Sequence, residues 1–148
     1  MINRELINPQ SIVVVGGSNN VHKPGGRLVR NLLDGKYKGE LYVVNAKEDD
    51  VQGLKSYHSV YDIPETELAV ISIPGPACPE VVDVLAKQKN VKAFIVISAG
   101  FGEETHEGAI LEEQMLKSIN EAGASLIGPN CIGLMNMHYH GVFTQPIP

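Results

Sequence analysis

Gly16-Gly17-Ser18, followed at short distance by Lys23, Gly25-Gly26 and Arg27, is the segment of this sequence with the clearest chemistry. Glycines let a backbone approach a phosphate closely. The N-terminus of a following helix then adds free N–H groups and partial positive charge. Val15 to Arg27 therefore reads as an anion-binding turn. It is not a strict G-x-G-x-x-G, because Ser18 occupies a glycine position. No Lys-Ser or Lys-Thr follows Gly25 or Gly26, which argues against a Walker-type ATP loop.

A second clue lies at Val44-Asn45-Ala46-Lys47. An NAD site wants an acidic residue at the end of its second strand, about 20 residues beyond the fingerprint, to hold the ribose diol. Lys47 offers a cation instead, which favours a nucleotide bearing an extra ribose phosphate, although Glu48, Asp49 and Asp50 follow and could neutralise it. NADP and coenzyme A both meet that demand. The other reactive residue types carry less. Cys78 and Cys131 form neither a CxxC nor a disulfide framework, and each reads as a small apolar filler. Glu103-Glu104 precedes a helical segment, where the helix dipole alone favours carboxylates. His138 and His140 read as an exposed tail, and no metal site is expected.

The elements that must position these residues are regular. Ser11–Val15, Leu41–Val44, Leu68–Ile73, Ala93–Ser98 and Ser125–Ile127 are short runs apolar on both faces, as buried parallel strands are. Gly26–Asp34, Ala77–Lys89 and Glu107–Glu121 gather apolar residues at helical spacing. Lys47 to Thr66 reads as a long crossover with one short helix near Ser59–Ile63. Strands joined by helical crossovers predict a Rossmann-like, doubly wound α/β fold. Its mainly parallel sheet should have five strands or more, with helices on both faces. Ligands then bind beyond the carboxyl ends of the strands, where strand order reverses. The turns at Gly16-Gly17, Pro74-Gly75-Pro76, Gly100-Phe101-Gly102 and Gly128-Pro129-Asn130-Cys131 all fall on that rim.

Taken in order, Ser11-Ile12-Val13-Val14-Val15-Gly16-Gly17-Ser18, Val44-Asn45, Gly53-Leu54-Lys55-Ser56-Tyr57, Asp62-Ile63-Pro64, Ile73-Pro74-Gly75-Pro76, Ile97-Ser98-Ala99-Gly100-Phe101 and Gly128-Pro129-Asn130-Cys131-Ile132-Gly133 form a recognisable series. The series resembles the coenzyme A-binding domain of NDP-forming acyl-CoA synthetases, the family of the succinyl-CoA synthetase α subunit and the ADP-forming acetate-CoA ligases. The resemblance covers nearly the whole chain. It implies that Gly16, Gly17, Ser18, Gly25 and Gly26 cradle the pyrophosphate of coenzyme A, with charge from Lys23 or Arg27. A side chain at Gly17 would then block the ligand and leave the sheet intact. The adenosine end would lie near Val44, Asn45 and Lys47, with Ile73, Pro74 and Pro76 beside it. Ser98, Ala99 and Gly100 would line the pantetheine path toward Asn130 and Cys131. Where the family usually has Val-Asn-Pro, this chain has Val44-Asn45-Ala46.

The family's reaction joins a carboxylate and coenzyme A at the expense of an NTP, through an acyl phosphate and a phosphohistidine. The resemblance places that histidine and an ATP-grasp unit in other domains or subunits. None of the five histidines here sits in a corresponding position, so no catalytic residue is expected and the fragment alone should bind without ligating. Residues 1–136 are expected to form the coenzyme A-binding domain and 137–148 a connector toward a following one. Two alternatives stay open: a stand-alone, non-enzymatic coenzyme A-binding protein, and an NAD(P)-binding oxidoreductase domain.

Composition agrees with a soluble, cytoplasmic domain. Apolar residues make up 43% and charged residues 20% of the 148, typical of a chain that buries one core. The net charge of -5 argues against nucleic acid as a partner, and no apolar run approaches the ~20 residues of a membrane span. Charge is nevertheless uneven. Residues 1–55 hold eight Lys and Arg against six Asp and Glu, and residues 56–148 hold four against eleven, so the cations gather around the glycine-rich segment.

Overall fold

A computed structural model describes residues 2–98, 106–128, 133–135 and 138–142. In chain order its elements are α1 (Arg4–Ile7), β1 (Ser11–Val15), α2 (Pro24–Asp34), β2 (Glu40–Val44), β3 (Asp50–Val51), β4 (Leu54–Tyr57), β5 (Leu68–Ile71), α3 (Cys78–Gln88), β6 (Ala93–Val96), α4 (His106–Glu121), β7 (Ser125–Ile127), β8 (Gly133–Met135) and β9 (His140–Val142). Short 3-10 turns cover Val60–Asp62, where a short helix is expected, and Gly75–Ala77.

β1 occupies the middle of a seven-stranded sheet of order β3-β4-β2-β1-β5-β6-β7. It pairs parallel with β2 on one side and with β5 on the other, so that Val15 lies between Val44 and Ile71. The chain builds first to one side of β1 and then to the other. This is the reversal of a doubly wound sheet, and it opens a crevice at the carboxyl end of β1. Within this sheet β3 runs antiparallel, at the edge beside β4, and β8 and β9 form a separate antiparallel pair.

Period-2 alternation along the strands feeds two cores. Val13, Val15, Ala69, Ile71, Phe94 and Val96 pack with Val82 and Leu85 of α3 and with Met115 and Ile119 of α4. Ile12, Val14, Leu68, Val70 and Ile95 pack with Leu28, Val29 and Leu32 of α2, Leu6 of α1 and Tyr139. Each such side chain removed from water contributes about 1.5 to 3 kcal/mol, which explains why the strands are apolar on both faces.

The structure differs from the sequence expectation in four places. β5 and β6 end at Ile71 and Val96, two residues early: the Ile73 N–H turns to the Ser98 hydroxyl (3.0 Å), and Pro74 has no N–H to continue a ladder. The crossover after Lys47 contains the β3–β4 hairpin. Asn3 caps a short α1, accepting the Leu6 N–H at 2.9 Å. The exposed tail expected around His138 and His140 holds for His138, which is exposed, but not for the two residues after it. Tyr139 is only 1% exposed and donates its hydroxyl to the Leu6 carbonyl (2.7 Å), and His140 is half-buried against Gly35. Burial pushes the Tyr139 hydroxyl pKa up, so it remains a donor. No helix among the described residues is long and apolar enough to cross a membrane.

Candidate functional site

Gly16 leaves β1 with φ of 93°, a left-handed turn that side-chain-bearing residues avoid, and its N–H still reaches the Val44 carbonyl at 2.9 Å. The chain then runs through a loop closed by its own polar groups. Ser18 Oγ accepts from Asn20 N–H, and Asn20 Oδ1 accepts from His22 N–H, both at 3.0 Å. Lys23, in extended conformation, precedes Pro24 at the start of α2. No side chain caps this helix, and its first turn carries no acidic residue. Its N-terminal dipole is therefore uncompensated by the protein at the mouth of the crevice.

Gly25 and Gly26 lie inside the first turn of α2 rather than in the loop before it. A Cβ on Gly25 would fall on the Gly16 carbonyl, and one on Gly26 on the Asn20 carbonyl. Their lack of a side chain lets α2 seat directly on the loop. Gly17 departs from expectation. Its missing Cβ points into the core, 2.5 Å from Val43 Cγ1 and 3.2 Å from Val29 Cγ2, rather than toward a ligand. Gly17 serves packing, and a side chain there would disturb the sheet.

Asn45 ties the two walls of the crevice together. Its Nδ2 donates to the Gly17 carbonyl (2.8 Å), and its Oδ1 accepts from the N–H groups of Lys47 (2.9 Å) and Glu48 (3.1 Å). The side chain thus shapes both the glycine loop and the turn that carries Lys47.

Between these walls and the β5–α3 turn lies a cleft of about 770 Å³. It unites Gly16, Lys23, Val44, Asn45, Lys47, Ile73 and Pro74, all expected from the sequence. Gly17, Ser18, Gly25, Gly26 and Arg27, also expected from the sequence, do not line it. Pro76 belongs to the 3-10 turn Gly75–Ala77, and Ser98 is occupied with Ile73 N–H. Ala99, Gly100, Asn130 and Cys131 lie outside the described residues, as do Glu103 and Glu104.

Sequence reasoning missed the far wall, which His58, Tyr61, Glu80, Val81 and Val84 complete. His58 Nε2 sits 2.8 Å from Asp49 Oδ1. No sequence signal links those two residues, because the β3–β4 hairpin brings them together. Val81 and Val84 were legible only as an apolar helix face. Lys23 and Lys47 set positive charge in the cleft against Glu80, and the apolar valines and Pro74 offer a flat surface, so the arrangement suits a phosphate-bearing ligand with a flat apolar part.

Cys78, at the start of α3, is fully buried, and burial raises its thiol pKa against a smaller opposing effect of Ser98. It stays a neutral filler, as its sequence context predicts. Among the described residues no group of His, Cys, Asp and Glu is arranged to hold a metal. A depression of about 780 Å³ on the outer face of α4, between Ala109 and Glu121, is as large as the cleft but has none of the strand-end turns.

Known proteins share this sequence pattern and fold. Residues 10–137 match the family described as a CoA binding domain. The ADP-forming acetate–CoA ligase II of Archaeoglobus fulgidus is 39% identical over 90% of the chain, which covers 20% of that relative. The α subunit of the Pyrococcus furiosus ADP-forming acetate–CoA ligase II is also 39% identical over 90% of the chain, which covers 29% of it. In structure, the apo dinucleotide-forming acetyl-coenzyme A synthetase 1 of Ca. Korarchaeum cryptofilum superposes with a TM-score of 0.87 at 35% identity. That match spans 95% of this chain and 31% of that one. The chain thus spans less than a third of each of these three proteins. With its strand order, its glycine turn and its match over residues 10–137 in agreement, the chain belongs to the CoA binding domain family.

Proposed function

We propose that the cleft beside β1 binds coenzyme A as a substrate, and that the chain is the coenzyme A-binding part of an NDP-forming acid–CoA ligase. The observation that carries this reading is the convergence of three features in one cleft: the uncapped start of α2 behind Gly16, the Lys47 turn, and the wall formed by Ile73 and Pro74. The diphosphate would meet the helix start and Lys23, where partial positive charge and a full cation act together. The ribose phosphate would meet Lys47. The adenine would lie against Pro74 and the valines of α3. Pantetheine would then run along the rim past Ser98.

In the parent reaction a carboxylate, coenzyme A and NTP give acyl-CoA, NDP and phosphate. This chain's residues would hold and orient the thiol substrate. The phosphohistidine and the ATP-grasp unit would come from other domains or subunits. That division agrees with the fraction of each relative that the chain covers. The burial of Tyr139 favours a link to those domains that would begin after β9 rather than at residue 137. The same similarity weighs against a stand-alone coenzyme A-binding protein. The cation at Lys47, in place of an acid, weighs against an NAD domain.

Titration calorimetry of the chain with coenzyme A, dephospho-coenzyme A and NAD tests the reading. Coenzyme A should bind most tightly, and dephospho-coenzyme A more weakly by about the 1.5 to 3 kcal/mol of a charge-assisted contact. NAD binding as well as or better than coenzyme A would defeat it.

A further inference from the structure

One side chain outside the cleft holds the glycine-rich loop at both of its ends. Gln52 Nε2 donates to the Ser18 carbonyl (2.9 Å) and to the Gly26 carbonyl (2.9 Å), spanning from the loop's first half to the first turn of α2. Its backbone N–H donates to Asn19 Oδ1 (2.7 Å), and Asn19 Nδ2 returns a hydrogen bond to the Asp50 carbonyl (2.9 Å). The β3–β4 hairpin is thereby clasped onto the loop that carries the helix start.

Glutamine is a poor choice for the turn itself. Gln52 and Gly53 are the two residues between paired Val51 and Leu54, with φ of 51° and 89°. A two-residue hairpin loop with positive φ at both positions favours Asn-Gly or Gly-Gly. A longer side chain at the first position is strained, since a left-handed backbone crowds Cβ against the following carbonyl. Gln52 Oε1 is also buried with no hydrogen-bond partner. Asparagine would suit the turn better, but its carboxamide, one methylene shorter, would fall short of the two carbonyls. Both unfavourable features accompany the two bonds to the loop, and an observed backbone outlier of this kind points toward a functional constraint.

We propose that Gln52 is a positioning residue for coenzyme A: by fixing Ser18 and Gly26 relative to each other it presets the loop and the start of α2 for the ligand's phosphates. The inference rests on the reading that this loop holds coenzyme A. Preorganisation of this sort raises affinity by sparing the ligand the cost of ordering the loop.

The test uses Gln52→Asn and Gln52→Gly in the 148-residue chain, both compatible with the left-handed turn. Calorimetry with coenzyme A is paired with amide hydrogen exchange on the free proteins. The dissociation constant should rise about 10-fold in both variants, as expected for two neutral hydrogen bonds lost. Exchange should quicken within residues 17–26 and stay unchanged in β1, β5 and β6. A dissociation constant within two-fold of the original, about 0.4 kcal/mol, would overturn the inference, as would exchange that leaves the loop unchanged or quickens equally in the central strands. Failure of the unaltered chain to bind coenzyme A is a separate result, seen before any variant is made, and it removes the binding reading itself.

Discussion

Gly17 and Asn45 show how residues of a binding motif can act on the protein rather than on a ligand. A side chain at Gly17 would run into Val43 and Val29, and the Asn45 carboxamide directs its hydrogen bonds to the two turns beside the cleft. Gly17→Val should therefore lower the urea midpoint by the equivalent of about 1 to 3 kcal/mol, the usual cost of forcing extra atoms into a packed core. An unchanged midpoint would contradict this packing role. At this scale Gly16, Lys47 and Pro74 were legible in the sequence, because a positive-φ turn, a cation at a strand end and a proline rim each follow from residue type. The direction in which Gly17 lacks a side chain was not. A glycine in a motif shows only that space is scarce, and the fold decides on which side.

Among the elements, the long apolar strands and helices could be read to within about two residues because their periodicity and burial coincide. The short ones could not. β3 is a pair of residues with no period to detect, its turn is Gln52-Gly53 rather than Asn-Gly, and β8–β9 owes its place to Tyr139 reaching Leu6 across the chain. α1 is likewise held by distant partners. Arg4 donates to both carboxylate oxygens of Glu67 at 3.0 and 2.8 Å, and Glu67 also accepts the Gln10 N–H at 2.9 Å. The Arg4 hydrogen bond, ahead of the backbone contact, holds the Glu67 pKa below its ordinary value. A pKa depressed on folding gives stability that is present above the unfolded value and is lost as pH falls through the folded one. Glu67→Gln should thus lower the unfolding midpoint at pH 7, with the gap to the unaltered chain closing below about pH 4. A gap of the same size at pH 3 would show that the carboxylate charge is not involved.

For the whole molecule, two depressions of similar size compete as the binding site, and topology separates them. One lies on the outer face of α4. The other lies where the sheet reverses beside β1, with an uncapped helix start and lysines at its mouth. The second joins the ends of β1 and β2, the segment after β4, the turn after β5 and α3, which explains why its far wall could not be seen in any single stretch of sequence. Where coenzyme A sits decides between the two depressions. A crystal of the chain grown with coenzyme A should show the diphosphate against Gly16 and the start of α2, the ribose phosphate at Lys47 and the adenine against Pro74. Ordered coenzyme A on the face of α4, with the cleft beside β1 empty, would contradict it.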